Sequence, residues 1–446
     1  MSETTRFLVG YGRADTTPLE SVPLEGYGST SNRMSRNVLD PLYATCLALT
    51  DAAGETVLIY SLDMTAPGAP WSTDMVPAIA LATGIPQTHI LSSAIHTHSA
   101  PDPSNTQEPT LLRYLEYMKQ QCVQAALDAL ADRKSASLFG ATIQTTGLNF
   151  VRRYILQDGT PAGDNYGHFD RSPIDRHETE PDRSMQLLKF VREGGEDVVI
   201  ANFQVHPHWT GGMNKYDVSA DTVGIMRMEI EAQTGCRFLY FTGACANINH
   251  SSRIKEENTC HDYITHGKAM AQAAMSAADQ YRPMNLGAVK VDRLMLTVPA
   301  NHTQDYRAEE ATYIRTNFLA SGDRATWGAE ALRRGYNSVY HACLIAIKSN
   351  LPPTLDVHLP TVSIGDVAFA FAPYEMFDTN GMQIKEASPF PMTMILTCAN
   401  GERHSYVPSA LGFQNGGYSV DSCWFLPGSG EEFAQALIAG LKRLHD

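Results

Sequence analysis

His89-Ile-Leu-Ser-Ser-Ala-Ile-His96-Thr-His98-Ser-Ala-Pro101-Asp-Pro103 is an apolar run that ends in two histidines and then two prolines. Ile90 and Leu91 begin it, small residues carry it to Ile95, and the prolines stop ladder pairing by removing a donor. It reads as a strand whose exit carries functional groups. Two histidines spaced i, i+2 in extended chain point to one side of the strand. Val198-Val-Ile-Ala-Asn-Phe203 repeats the pattern, a β-rich run that leaves through Gln204-Val-His206-Pro207-His208. Loops beyond the carboxyl ends of strands form the crevice of an α/β protein. Two such exits point to one shared metal site, imidazole being the commonest metal-ligand side chain. The alternative for each cluster is one packed, hydrogen-bonded histidine beside a solvated one.

Strand-like and helix-like segments alternate outward from these exits. Strands are expected over 56–63, 89–94, 136–143, 186–191, 198–203, 238–241 and 367–371, and helices over 71–81, 108–133, 222–234, 262–281, 308–349 and 432–444, the long one broken near Ser321-Gly-Asp323. The strongest helix, 108–133, has Leu111, Leu112, Leu115, Met118, Cys122, Ala125 and Ala126 at three-to-four spacing. The expected fold is α/β, a central mixed sheet flanked by helices with the metal site at the carboxyl ends of strands. Gly159 to Asp182, rich in Gly, Pro, Asp and Arg, reads as a long surface loop near the site or a lid.

Composition bounds the function classes. The 446 residues are 43% hydrophobic and 18% charged, enough for a sizeable core. A net charge of −14 argues against nucleic acid or anionic lipid as the main partner, since both need a basic patch. A small-molecule substrate is expected, with a homo-oligomer left open. The start has no basic segment followed by an apolar one, and the apolar stretches fall far short of the ~20 residues of a membrane span. A cytoplasmic chain with no integral membrane association is the expectation. Its eight cysteines contain no CxxC pair and read as reduced thiols. Cys245, in Gly243-Ala-Cys-Ala-Asn247, lines the site or is a small buried hydrophobe.

Taken in order, several segments resemble the catalytic region of the neutral/alkaline non-lysosomal ceramidases and their shorter bacterial relatives. They are Gly10-Tyr-Gly-Arg-Ala-Asp-Thr-Thr-Pro18, Leu24-Glu-Gly-Tyr27, Ser61-Leu-Asp63, Ser92-Ser-Ala-Ile-His96-Thr-His98-Ser-Ala-Pro101, Phe150-Val-Arg152-Arg153-Tyr154, Asn202-Phe-Gln-Val-His206-Pro, Gly243-Ala-Cys-Ala-Asn247, Ala372-Pro-Tyr-Glu375-Met-Phe and Tyr406-Val-Pro followed by Tyr418. The resemblance implies a Zn2+ amidase-type site with His96, His206, Glu375 and Tyr406 as metal ligands. It also implies that Tyr418 and one arginine of the Arg152-Arg153 pair, preferably Arg152, hold the substrate carbonyl and its developing oxyanion. Two imidazoles, a carboxylate and a phenol suit a borderline ion such as zinc, which lowers the pKa of water and polarises a carbonyl. A guanidinium and a phenolic donor suit a site where negative charge builds. Read alone, Glu375 is equally a solvated acid, Tyr406 a core phenol, and either arginine an ion-paired surface residue.

Around these groups, His98 is the candidate proton shuttle or a partner of the ligands, with His208 and His404 as lesser candidates. Asp63 orients a ligand histidine or caps the following helix. In the ceramidases, the loop matching Ala246-Asn-Ile-Asn-His250 carries a serine at the position of Asn249. Nor does the chain provide the C-terminal β-sandwich of full-length ceramidases, so residues 1–446 are expected to form a single catalytic domain. The expected activity is zinc-dependent hydrolysis of an amide (N-acyl) bond in a small or amphiphilic substrate, with poor ceramide turnover. The alternatives are an ester or glycosidic bond cleaved at the same centre, and a non-catalytic binding protein of this fold.

Overall fold

The computed structural model describes residues 6–27, 33–104, 108–164, 169, 171–401 and 405–446. Its centre is a nine-stranded mixed sheet built from β1 (Leu8–Asp15), β2 (Tyr43–Thr50), β3 (Thr56–Leu62), β4 (Ile90–Ala94), β5 (Lys134–Gln144), β6 (Ser184–Arg192), β7 (Val198–Phe203), β8 (Arg237–Thr242) and β9 (Arg282–Met284). The spatial order is β8-β7-β6-β5-β1-β2-β3-β4, with β9 on β5. The β3/β4 and β7/β8 pairs are parallel and the other pairs antiparallel. The two parallel pairs send their carboxyl ends toward the histidine segments.

A large central mixed sheet flanked by helices is therefore present, as the alternation of segments indicates, with an addition on one face. A second sheet, β10 (Leu286–Pro299), β11 (Thr354–Gly365), β12 (Val367–Phe371) and β13 (Met392–Leu396), packs on the first. Val57, Ile59, Phe190, Ile200 and Phe241 meet Val362, Phe369, Phe371 and Met394 in one buried cluster. The alternate residues Leu58, Tyr60 and Ala201 face the opposite way, into a cluster with the helices over 109–131, 221–234 and 263–275. Period-two alternation thus buries both faces of β3, and all seven of its residues are buried. The terminal helix Ser429–His445 covers the outer face of the second sheet through Phe433, Leu437 and Leu441. Gly12 lets helix 109–131 approach β1, because a Cβ there would lie 2.1 Å from the Ala125 carbonyl oxygen.

Several local readings change. The helical run near Trp71 starts at Gly68, passes through a π-helical turn at Trp71–Met75 and ends at Thr83. The long helix expected over 308–349 is three helices, Ala308–Ser321, Arg324–Arg333 and Val339–Lys348, because a second turn at Arg334–Ser338 follows the one at Gly322. They form a helical excursion between β10 and β11 with a small core of their own, including Ile314, Phe318, Tyr336 and Val339. The stretch 159–182 carries two short strands, Pro161–Gly163 and Ile174–His177, on either side of Arg153–Leu156. All eight cysteines are buried and unpaired in disulfides. Among the described residues, no helix is long and apolar enough to cross a membrane.

Candidate metal centre

The two histidine segments leave adjacent parts of the sheet and are tied by a bond from the His98 amide to the Pro207 carbonyl, 3.1 Å. β4 ends at Ala94, so His96 and His98 are not on extended chain. His96 has φ +67°, in the left-handed region that a non-glycine residue occupies only when its surroundings hold it there. That turn, rather than strand periodicity, brings both rings inward. Gly26, at φ +118°, lies against the His98 side chain, and a Cβ there would come within 2.4 Å of the His98 Cβ and 2.5 Å of its ring.

His96 Nδ1 faces the Thr65 carbonyl at 2.8 Å and His206 Nδ1 faces the Cys245 carbonyl at 3.3 Å. A ring nitrogen facing a carbonyl carries the proton, which leaves a lone pair on each Nε2. Those two atoms are 3.1 Å apart, and His98 Nε2 lies 2.9 Å from that of His206 and 3.4 Å from that of His96. Glu375 Oε2 is 3.5 Å from His96 Nε2. Lone pairs from buried rings, with a carboxylate at their edge, repel one another unless a cation lies between them. The donor set fits a divalent metal. Cys245 adds a thiol, since its sulfur and one nitrogen each of His96 and His206 lie within 4.8 Å of one another. Burial, then the Glu375 charge, holds that thiol well above its ordinary pKa.

Glu375 and Tyr406 are neighbours because Glu375–Met376 and Tyr406–Val407 pair as a two-residue parallel ladder. Arg152 arrives by another short ladder, Phe150–Val151 on Ile248–Asn249. It donates through Nη2 to the Tyr406 hydroxyl (2.9 Å) and the Ala246 carbonyl (2.6 Å). Burial alone would lower the Arg152 pKa, but the Tyr406 oxygen beside it and the Glu375 carboxylate hold it above the ordinary value. Arg153 turns away, donating twice to Glu178 and also to the Gly412 and Gly416 carbonyls. The Tyr418 ring lies edge-on to Tyr406 with centroids 5.5 Å apart. Burial, then Glu375, raises the Tyr418 phenol, and burial lowers His98 and His206 well below the usual histidine pKa. All seven residues picked out from sequence, His96, His98, Arg152, His206, Glu375, Tyr406 and Tyr418, thus gather in one place.

Other candidates divide. His208 joins the cluster, its ring 5.2 Å from His206 and its Nε2 on Asn249 Oδ1. Asn249 in turn donates to Asp164, so the position matching the family serine bridges a histidine and an acid. Asp63 touches neither a histidine nor a helix start. It accepts from the Arg227 guanidinium and the Tyr43 amide, a buried pairing that joins sheet to helix. Asn247 turns into the interior, donating to Asp378, and His404 lies outside the described residues. Cys398 was not foreseen. At φ +49° it follows β13 and sets its sulfur 3.3 Å from His96 Nδ1, a placement that a lone cysteine gives no local sign of.

No family model and no curated protein sequence matches the chain. Solved structures do. A ceramidase complexed with C2 superposes with a TM-score of 0.73 at 16% identity over 99% of this chain and 76% of that one. The neutral ceramidase from Pseudomonas aeruginosa gives 0.73 at 17% identity over 99% and 75%. The chain has the neutral ceramidase fold.

Proposed function

We propose that the protein is a zinc-dependent hydrolase that cleaves an amide bond in a small or amphiphilic substrate. The observation that carries this reading is the facing pair of His96 and His206 Nε2 atoms at 3.1 Å, with Glu375 at their edge. His96, His206, Glu375 and Tyr406 would hold the ion, a nitrogen and oxygen set that suits zinc. Zinc bound there supplies a Lewis acid at neutral pH. Arg152 keeps a fixed positive charge where the carbonyl oxygen becomes negative, and Tyr418, protonated at neutral pH, donates a hydrogen bond to it. His98, whose Nε2 lies among these groups, is the candidate to carry a proton to the leaving nitrogen. The polar surroundings, including His208 and Asn249, favour a substrate other than long-chain ceramide and keep ester or glycosidic cleavage as the second reading. The eight unpaired cysteines support a cytoplasmic location.

The test is metal analysis of the purified chain together with rates on short N-acyl amides, esters, glycosides and a long-chain ceramide in detergent. About one zinc per chain and chelator-sensitive amide hydrolysis are expected. Turnover that survives complete zinc removal would reject the reading.

A further inference from the structure

Asp221 is one of four non-glycine residues with a positive φ among those described, at +55°, and it is fully buried. Two of the others, His96 and Cys398, lie at the metal centre. A side chain other than glycine's persists in the left-handed region only where its surroundings hold it there. Asp221 opens the helix 221–234, and its charge lies at the positive end of that helix. Its Oδ1 accepts the Thr222 amide at 2.7 Å, as a helix cap does. Its Oδ2 accepts both the amide and the hydroxyl of Thr210, each at 2.7 Å. Capping needs one oxygen and no strained residue, so the second oxygen and the strain belong to something else.

Those bonds reach both histidine segments. The Thr210 hydroxyl has one proton, and the carboxylate takes it because it can only accept. The Ser99 hydroxyl therefore donates to Thr210 Oγ1 across 2.9 Å. Thr210 follows His206 in one segment, and Ser99 follows His96 in the other. The chain just before Asp221 closes the same circuit. The Ser219 amide donates to the Ser99 carbonyl at 2.9 Å, the Thr97 hydroxyl donates to the Ser219 carbonyl at 2.7 Å, and Ser219 Oγ accepts the Asp221 amide at 2.8 Å. Thr97, Ser99, Thr210, Ser219 and Asp221 are all fully buried, so water does not stand in for a bond that is lost. This brace adds a second tie, beside the bond from the His98 amide to the Pro207 carbonyl, between the main chains that carry the two imidazoles.

We propose that Asp221 is a positioning residue for the metal centre: through Thr210 and Ser99, its second carboxylate oxygen holds the segments of His96 and His206 so that their rings face one another. The proposal rests on the hydrolase reading for one point alone, that these two imidazoles hold the ion. Asp221→Asn separates brace from cap. Asparagine tolerates a left-handed φ and caps a helix as well as aspartate, but it has one oxygen, and its amide group sets a donor against the Thr210 amide. Zinc affinity of the full chain, read by competition with a chromogenic chelator, should fall about 10- to 100-fold, the scale for groups that orient metal ligands. The d–d absorption of the cobalt-substituted chain should shift in wavelength as well. Thr210→Val removes the hydroxyl from a side chain of the same shape and should weaken zinc about tenfold, whereas Thr210→Ser keeps the hydroxyl and should bind as wild type does. If Asp221→Asn does not fold, the two Thr210 variants decide the outcome by the same measurements. Asp221→Asn or Thr210→Val binding zinc as tightly as wild type, with an unshifted cobalt spectrum, would overturn the proposal. So would a loss confined to the unfolding midpoint of the zinc-free chain, the mark of a helix cap alone. A wild-type chain that takes up no zinc would overturn the metal reading and this proposal with it, whereas variants that bind like wild type overturn the proposal only.

Discussion

Arg152 donates to the hydroxyl of Tyr406 at 2.9 Å, a contact between residues 254 positions apart, while Arg153, its neighbour in sequence, is bound to Glu178 on the other side of the strand. The two guanidiniums should therefore fail differently. Arg152→Met is expected to lower kcat by about 10²- to 10³-fold, the scale of losing one group that stabilises an oxyanion. Arg153→Met leaves Glu178, whose side chain is 4% exposed, without its cation and should cost about 3–5 kcal/mol of stability. Measuring kcat and urea unfolding on both variants checks the assignment. A catalytic loss confined to Arg153→Met would reverse it.

The metal centre makes a separable prediction. A ligand that binds the native state stabilises it by about 2.7 kcal/mol at a hundredfold excess over Kd. Zinc should raise the wild-type Tm, EDTA should reverse the rise, and His206→Ala should respond to neither. Cys245→Ser distinguishes the donor sets. If the carboxylate and phenol complete the site, this variant keeps its zinc; if the thiol does, it loses it. Elemental analysis of both variants after dialysis reads the outcome, and a His206→Ala chain with full zinc content would refute the site.

Acid should destabilise the fold through a histidine remote from the catalytic groups. His266 is fully buried, its Nε2 donating to the Leu148 carbonyl and its Nδ1 accepting from the Thr222 hydroxyl. Burial lowers its pKa to about 4, against about 6.5 in the unfolded chain. Between these values the unfolded state binds the additional proton, so stability falls as pH drops below about 6.5 and the loss levels off below about 4. The gap corresponds to on the order of 3 kcal/mol. Urea unfolding of wild type and His266→Gln at pH 7.5 and 4 isolates this contribution: the variant should start lower and lose less on acidification. Equal losses in the two proteins would remove His266 as the cause.

The strands that carry the site were legible because β3 and β7 are apolar, β-rich runs and β4 opens on Ile90-Leu91 and continues in small residues, and a run buried on both faces has that pattern whichever partner covers it. For the same reason the second sheet went unseen. β10 alternates polar and apolar residues along a partly exposed edge, and nothing local says that Val362 and Phe369 pack against another sheet rather than a helix. His96 shows a different gap. The HxH spacing put the two rings on one side through strand periodicity, whereas a left-handed turn at His96 aims them into the cluster. Glu375 and Tyr406 could be placed only by resemblance, because a two-residue ladder between segments 31 positions apart has no periodicity to read.

Tyr406 and Tyr418 touch edge to edge, yet removing each hydroxyl should have a different consequence. Tyr406 also accepts from Arg152 and shares a ladder with Glu375, which places its oxygen among the groups proposed to hold the ion. Tyr418 sits one ring further out, in the wall of a cavity that Arg152 also lines. Its phenol is raised by burial and by Glu375, so it keeps its proton through neutral pH and acts as a donor. Tyr418→Phe should therefore retain zinc and KM while kcat falls about 10²-fold. Tyr406→Phe should instead weaken zinc binding, and excess zinc should restore part of its activity. Steady-state kinetics at two zinc concentrations on both variants read the difference. Zinc rescue of Tyr418→Phe, or an unchanged kcat in it, would take Tyr418 out of the role of oxyanion donor.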